Sequence, residues 1–189
     1  MPFPAVVQPS AEPQTLDEIL DWHRGIVDAL IEQRVSVQTA IRRGLAVAPR
    51  FVGMTERDVD IHYDAQRREL DRLTVLNLVA SAEATIKLDY FRRVNERLKD
   101  SLSRAYREWH NRLSAKQRRR PDFDERGILD VLKGAGVMDN HIVGRYRECL
   151  HVRHWLGHGR YWAKPAQVEQ LDPDEVFDRA NKLLQAIPA

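Results

Sequence analysis

The residues of this chain best suited to acid–base chemistry are Arg153 and His158, five positions apart in Arg-His-Trp-Leu-Gly-His-Gly over 153–159. An arginine guanidinium stays charged, and its fork of N–H groups matches the oxygens of a phosphate. An imidazole exchanges protons near neutral pH, which most other side chains do only when their pKa is perturbed. Together the two side chains predict cleavage of a phosphodiester without a metal ion.

A helical wheel places these two residues on different sides of one predicted helix over 139–156. Gly157 and Gly159 flank His158 and weaken the end of that helix. On a regular helix Arg153 and His158 point about 140° apart, which is unfavourable for one shared site within a single chain. Two copies of the helix meeting across a two-fold axis would surround one cleft with both pairs, so this chemistry predicts a dimer.

Arg153 also interrupts the apolar stripe of its helix, where an unpaired charge is costly. That stripe consists of Ile142, Tyr146, Cys149 and Leu156. A second charge, Glu83, is centred in an apolar stripe of a preceding helix, formed by Leu76, Val79, Ile86 and Tyr90. Two opposite charges in two apolar faces indicate that they meet, so we expect Glu83 to orient Arg153 inside a helical bundle. The alternative is an ion pair of Glu83 with Lys87, one turn later.

The opposite side of helix 139–156 carries a stripe of basic side chains. Within an arc of about 60° lie Arg147, His151, His154 and His158. Histidines four apart on one helix face recur as zinc ligands, so His151, His154 and His158 are an alternative metal site. Against a metal, no glutamate lies between His154 and His158, and Cys149 falls on the other face.

Capping signals and helical periodicity predict an all-α fold, an up-and-down bundle of about five helices. A capping box at Thr15 begins a helix over about 16–43. Neither glycine nor proline occurs over 55–113, a segment too long for an ordinary single helix, which predicts at least two helices or one strongly bent helix. The remaining predicted elements are a polar loop over 114–127, a short helix near 125–134 and a last helix over 172–187.

We expect one all-α domain over 15–189, in which 15–50 is a candidate N-terminal helical extension. Residues 1–14 carry four prolines, and we predict a disordered leader there because closely spaced prolines prevent regular hydrogen bonding. The leader lacks the basic-then-apolar pattern of a signal peptide.

Composition narrows the classes of partner and compartment. A net charge of +2 from 30 Lys and Arg against 28 Asp and Glu does not by itself predict nucleic-acid binding, which would need local clustering of cations. A single cysteine, Cys149, rules out an intramolecular disulfide and fits a reducing compartment. No uncharged apolar run approaches the roughly 20 residues that span a bilayer. We therefore predict a cytoplasmic protein that does not enter a membrane.

Arg153, the polar His154 directly after it, and His158 after four intervening positions resemble the signature of the HEPN superfamily. That signature is Arg, four to six residues, then His, often with Asn, Asp or His after the Arg. An all-α organisation and the motif's place on a late helix are also similar. The sequence likeness is confined to 151–162, and this chain departs from the commonest pattern in having His154 where Asn or Asp is more usual.

The resemblance implies a metal-independent endoribonuclease without a cofactor, acting as a homodimer with a composite active site, often as a toxin or defence effector. Arg153 would bind and polarise the scissile phosphate, and His158 would act as base or acid on the 2′-hydroxyl and the leaving oxygen. His154 would support the geometry or contact the phosphate. The 2′-hydroxyl is an internal nucleophile, so proximity and charge stabilisation do much of the work and DNA is spared. A toxin further implies an antitoxin or another regulatory protein.

Other residues are candidates for contact with RNA. The basic run contains Lys116, Arg118, Arg119 and Arg120, which are suited to the phosphate backbone. The aromatic residues near the motif, suited to stacking on bases, are Trp155, Tyr161 and Trp162. The alternative to an enzyme is a non-catalytic helical protein-interaction module, in which Arg153 is structural and the histidines form a solvated or interfacial face.

Overall fold

The computed structural model describes residues 14–160 and 162–188. These residues contain seven α-helices and two short 3-10 helices, joined by turns and loops. The helices are α1 Leu16–Arg42, α2 Glu56–Glu96, α3 Ser101–Arg112, α4 Ala115–Arg119, α5 Ile128–Gly134, α6 Asn140–Gly157 and α7 Pro173–Gln185. These ranges contain no β-strand, so the predicted all-α class is confirmed. The leader predicted for residues 1–14 lies outside the described residues, except for Gln14.

Capping residues begin the two long helices where the sequence predicts. The Thr15 hydroxyl accepts a hydrogen bond from the backbone N–H of Glu18, whose carboxylate accepts one from the N–H of Thr15 at 2.8 Å. Thr55 and Asp58 form the same box before α2. Each box satisfies amides that have no partner within the helix, so both helices start at a defined residue.

The long segment without glycine or proline divides into two helices, as predicted. α2 runs for 41 residues, and it ends at Arg97, whose φ of 54° is left-handed. Asp100 then caps α3, because its carboxylate accepts the backbone N–H of Ser103 at 2.9 Å. The break is therefore made by backbone conformation and a cap rather than by a glycine or a proline.

The segment over 114–127 was expected to be a loop, and that is wrong for its first part. Ser114 and Gln117 form a capping box that begins the five-residue helix α4. The next helix, expected near 125, starts only at Ile128, after a tight turn at Gly127. A Cβ at Gly127 would lie 2.3 Å from the carbonyl oxygen of Asp122. Among the helices of the described residues, α4 is the one that the sequence did not predict.

The main hydrophobic core lies between α2, α6 and α7, with α3 and α5 covering its other sides. Leu16 and Ile19 of α1 belong to this core. A second, smaller core of Phe51, Val59 and Tyr63 holds the far end of the α1–α2 hairpin together. The candidate extension over 15–50 is therefore packed against the bundle at its start and against α2 along the rest of its length.

The motif lies on α6, which is packed against α2 and α7. Its buried residues occupy most of its circumference: Val143, Tyr146, Cys149, Leu150, Val152, Trp155 and Leu156. The fully buried Tyr146 donates a hydrogen bond from its phenol to the carbonyl of Val79 on α2, at 3.1 Å. This contact fixes the position of α6 on α2, two helical turns before Arg153. Among the described residues, no helix has the length and apolarity needed to cross a membrane.

Candidate functional site

A cleft of about 700 Å³ opens beside the second half of α6. Its polar lining includes Glu83, Asp124, Glu125, His151, Arg153 and His154. Its apolar lining includes Phe123, Leu150, Trp162 and Pro165. Three segments meet here: α2, the turn before α5, and α6 with the chain that follows it. The cleft therefore combines cationic, acidic and aromatic groups on elements held by the main core.

Arg153 reaches this cleft instead of lying inside the bundle. Its side chain is 40% exposed, whereas that of Glu83 is 15% exposed. The expected pairing with Glu83 is present, but it lies at the margin of the bundle and not inside it, because the guanidinium extends from the edge of the buried stripe into the cleft. Long cationic side chains commonly bury their stems and keep their charge in water.

Glu83 pairs with both of the cations proposed for it. One carboxylate oxygen, Oε2, lies 3.5 Å from Nη2 of Arg153. The other, Oε1, accepts a hydrogen bond from Nζ of Lys87 at 2.6 Å. Lys87 also lies 5.6 Å from the centroid of the Phe123 ring, on the wall of the cleft. The two alternatives derived from the sequence occur together, and one carboxylate is shared between two cations.

The two histidines of the motif lie side by side at the end of α6. The ring centroids of His154 and His158 are 4.3 Å apart, and each is 5.8 Å from the centroid of Trp162. His154 lines the cleft, and so does Trp162. His158 is exposed and contacts the rings of both, although the described lining of the cleft does not include it.

The turn after α6 is fixed by contacts that the sequence did not reveal. Gly159 and Arg160 adopt left-handed φ angles of 80° and 62°. The Arg160 guanidinium binds both carboxylate oxygens of Glu69, at 2.8 and 2.5 Å. This hydrogen bonding raises the pKa of Arg160 and lowers that of Glu69. The left-handed backbone conformation of Arg160 is stabilised by an ion pair with a distant residue of α2. No local sequence pattern therefore indicates it.

The indole of Trp155 completes the anchoring of this turn. Trp155 is buried, and its Nε1–H donates to the carbonyl of Trp162 at 3.1 Å. The guanidinium of Arg160 lies 5.8 Å from the Trp155 ring centroid. As a result, the segment that carries His158 and Trp162 is held against the end of α6. Tyr161, the third aromatic residue proposed for stacking, lies outside the described residues.

Arg147, which the wheel places on the histidine side, is engaged elsewhere. Its guanidinium donates to Asp124 at 2.6 Å and to Asp130 at 2.7 Å. Partial burial opposes its charge, but these hydrogen bonds raise its pKa overall. Arg147 thereby ties the turn before α5 to α6 and neutralises one carboxylate of the cleft. Glu125, the neighbouring acidic residue of the lining, is exposed.

The basic run predicted to contact RNA divides into two kinds of residue. Arg118 donates to the carbonyls of His110 and Asn111, at 3.0 and 2.8 Å, and thus closes the end of α3. Arg119 and Arg120 are exposed. The described lining of the cleft includes none of the three.

The histidine stripe proposed as a metal site is only partly assembled. The structure brings His154 and His158 together, but the described residues contain no group of three or more His, Cys, Asp or Glu side chains placed to hold one ion. The metal alternative therefore gains no support from the geometry.

Comparison of the chain with family models, with curated proteins and with solved structures gives no match. The chemistry of the cleft consequently has to be judged from its own side chains. In the described part of the chain, the cleft is lined by one guanidinium, the imidazoles of His151 and His154, three carboxylates and an aromatic wall. The guanidinium and the aromatic wall are suited to an anionic ligand with a planar apolar part.

Proposed function

We propose that this protein is a metal-independent endoribonuclease of the HEPN type, in which Arg153 binds the scissile phosphate, His158 serves proton transfer, and His154 supports the geometry or contacts the phosphate. The observation that carries the proposal is that Arg153 and His154 line the same cleft while the imidazole of His158 lies 4.3 Å from that of His154. An all-α bundle with the motif at the end of a late helix is consistent with the resemblance seen in the sequence.

Arg153 has the exposure and charge that phosphate binding requires. Its guanidinium is open to the cleft, and its ion pair with Glu83 at 3.5 Å is longer than the contact of Glu83 with Lys87. A phosphate oxygen can therefore bind the free N–H groups without breaking a tight salt bridge. Charge-assisted hydrogen bonds to phosphate are stronger than neutral ones, and they strengthen as charge develops on the phosphorane.

The reaction uses the ribose 2′-hydroxyl as its nucleophile. One imidazole removes the 2′-hydroxyl proton, the 2′-oxygen attacks phosphorus, and the bond from phosphorus to the 5′-oxygen breaks. A second imidazole, in its protonated form, donates a proton to the leaving 5′-oxygen. The products are a 2′,3′-cyclic phosphate and a 5′-hydroxyl. General acid–base catalysis of this kind contributes about 10²–10⁴-fold to the rate.

A homodimer completes this site in the proposal. His158 is exposed and lies outside the described lining of the cleft that Arg153 enters. A two-fold axis near the end of α6 would bring the His158 of one protomer toward the cleft of the other. As a toxin or defence effector, such a nuclease would need an antitoxin or another regulatory protein to restrain it.

The test is incubation of the purified protein with mixed RNA and with DNA in excess EDTA. We expect cleavage of RNA only, with cyclic-phosphate ends, and a loss of at least about 100-fold in the variants Arg153→Ala and His158→Ala. Two exposed residues away from the cleft provide matched controls, Arg104→Ala and His141→Ala, which should retain full activity. Circular dichroism checks that all four variants are folded.

Three results would contradict the proposal. Cleavage that appears only with added zinc would favour the histidine stripe as a metal site. Equal activity in all four variants would place the chemistry elsewhere. A folded dimer that cleaves no RNA from any source would favour the interaction module.

A further inference from the structure

We propose that the same cleft contains a nucleobase subsite, in which an unpaired base of single-stranded RNA stacks on Trp162. The inference rests on the proposed function for the identity of the ligand, and it adds a second binding element beside Arg153. It also predicts which RNA structures the protein accepts.

The composition of the cleft first indicates a base and not the phosphate alone. A phosphate needs cations and N–H donors, which Arg153 supplies. Beside its polar groups, the cleft has an apolar and aromatic wall of Phe123, Leu150, Trp162 and Pro165, which a phosphate alone would not need. Base-binding sites combine a flat apolar surface with a few polar groups at its margin. A volume of about 700 Å³ is within the range of sites for small ligands such as a nucleotide.

The position of Trp162 next distinguishes it from the neighbouring indole. Trp155 is 5% exposed and packs in the main core, so it presents no face to a ligand. Trp162 is partly exposed and lines the cleft. Its carbonyl is held by Nε1 of Trp155, and its ring lies near His154 and His158 at a tilt of 41° to each. The indole is therefore placed in advance, which limits the entropy lost on binding.

The presence of both binding elements in one cleft then restricts the substrate. Arg153 and Trp162 line the same cleft, so a phosphate on one and a base on the other would come from one short stretch of RNA. In an A-form duplex the bases are stacked and paired within the helix, and side chains reach mainly the backbone and the 2′-hydroxyls. A base reaches Trp162 only after leaving its stack, so the subsite selects single strands, loops and bulges.

The experiment measures binding without cleavage. The probe is a fluorescently labelled 2′-O-methyl oligoribonucleotide, which cannot undergo 2′-hydroxyl attack, as a single strand and as a duplex. We expect the native protein to bind the single strand more tightly than the duplex. Because one base–aromatic stack strengthens binding by about 5- to 150-fold, Trp162→Ala should weaken binding of the single strand by that factor and leave the duplex unchanged.

Two further variants make the result interpretable. Trp162→Phe keeps an aromatic face and the backbone hydrogen bond from Trp155, so it should retain most of the affinity. Trp22→Ala removes an exposed indole from α1, at 51% exposure, and should leave the affinity unchanged. Equal affinity of Trp162→Ala and Trp22→Ala for the single strand would overturn the subsite even if RNA is cleaved. Loss of binding confined to Trp162→Ala would support the subsite even if no cleavage is found.

Discussion

At the scale of single residues, the site contains a carboxylate that is shared by two cations. Glu83 is mostly buried, with one oxygen on Lys87 and the other near Arg153. Placing an anion beside a phosphate-binding arginine lowers affinity for the phosphate. Under the proposed function, this arrangement is useful only if Glu83 holds Arg153 in the orientation that the transition state requires.

Replacing Glu83 by Gln tests this role, because the amide keeps the shape of the side chain and removes its charge. Under the proposed function we expect kcat to fall about 10-fold as Arg153 loses its orientation. We expect the affinity for a non-cleavable single strand to rise about threefold, because the cleft becomes more positive. Steady-state kinetics and fluorescence anisotropy measure the two quantities separately.

Glu125→Gln is the matched control for that substitution. Glu125 is an exposed carboxylate of the same cleft, so neutralising it should raise affinity without lowering kcat. A fall in kcat of equal size in both variants would indicate a general effect of charge and contradict a positioning role for Glu83.

The Glu83–Arg153 contact was predictable because each charge interrupts an apolar stripe, a pattern that survives in a single sequence. The degree to which Arg153 is exposed could not be predicted, since a helical wheel shows directions around one helix but not where neighbouring elements leave a gap. The Arg160–Glu69 pair was equally inaccessible, because it joins residues 91 positions apart through a turn stabilised by that pair.

At the scale of elements, polar side chains determine where helices end and how they are joined. The starts of α1 and α2 were predicted correctly because a capping box is a local signal. α4 was missed because its box, Ser114 with Gln117, lies in a run of cations that resembles a loop. The contact between α2 and α3 includes a buried polar pair, Tyr90 and His110, whose Oη and Nδ1 atoms are 2.6 Å apart.

The Tyr90–His110 pair predicts how stability depends on pH. Burial, assisted by the charge of Arg118, lowers the pKa of His110 below 6.5, while burial raises the pKa of Tyr90. A neutral phenol and a neutral imidazole therefore share this hydrogen bond. Because the unfolded state binds this proton more readily, stability is full above pH 6.5 and falls as the pH decreases below it. The slope has an upper limit of about 1.4 kcal/mol per pH unit.

Urea unfolding at pH 7.5 and pH 5.5 measures this contribution. His110→Gln, which cannot titrate but can still form a hydrogen bond with Tyr90, should show a smaller loss of stability between the two pH values than the native protein. His141→Gln, at an exposed position, should match the native protein. The explanation fails if His110→Gln and the native protein lose equal stability.

At the scale of the whole molecule, a fully buried charge that no sequence pattern indicated connects distant parts of the bundle. Arg93 of α2 donates to Asp89 at 2.6 Å, to Asp100 at 3.1 Å and to Ser103 at 3.3 Å. It also donates to the carbonyl of Pro188, beyond the end of α7. One guanidinium thus joins α2, the start of α3 and the end of the described chain. An arginine on a helix is usually read as a surface residue, which is why the sequence did not indicate this role.

Arg93→Met tests whether this charge stabilises the bundle. Methionine fills similar space but takes one partner from the Pro188 carbonyl, from Asp89 and from Asp100, and removing one member of a buried ion pair costs about 3–5 kcal/mol. We expect the free energy of unfolding to fall by about 3 kcal/mol, at the lower end of this range, because Asp89 and Asp100 are 16% and 33% exposed and regain water.

The neighbouring Arg92 is the control. It pairs with Asp89 at the surface, where its side chain is 47% exposed, so Arg92→Met should lower the free energy of unfolding by less than about 1 kcal/mol. Equal costs of the two substitutions in urea unfolding would show that burial of the guanidinium adds nothing, and that packing of the apolar core alone holds α2, α3 and the end of the chain together.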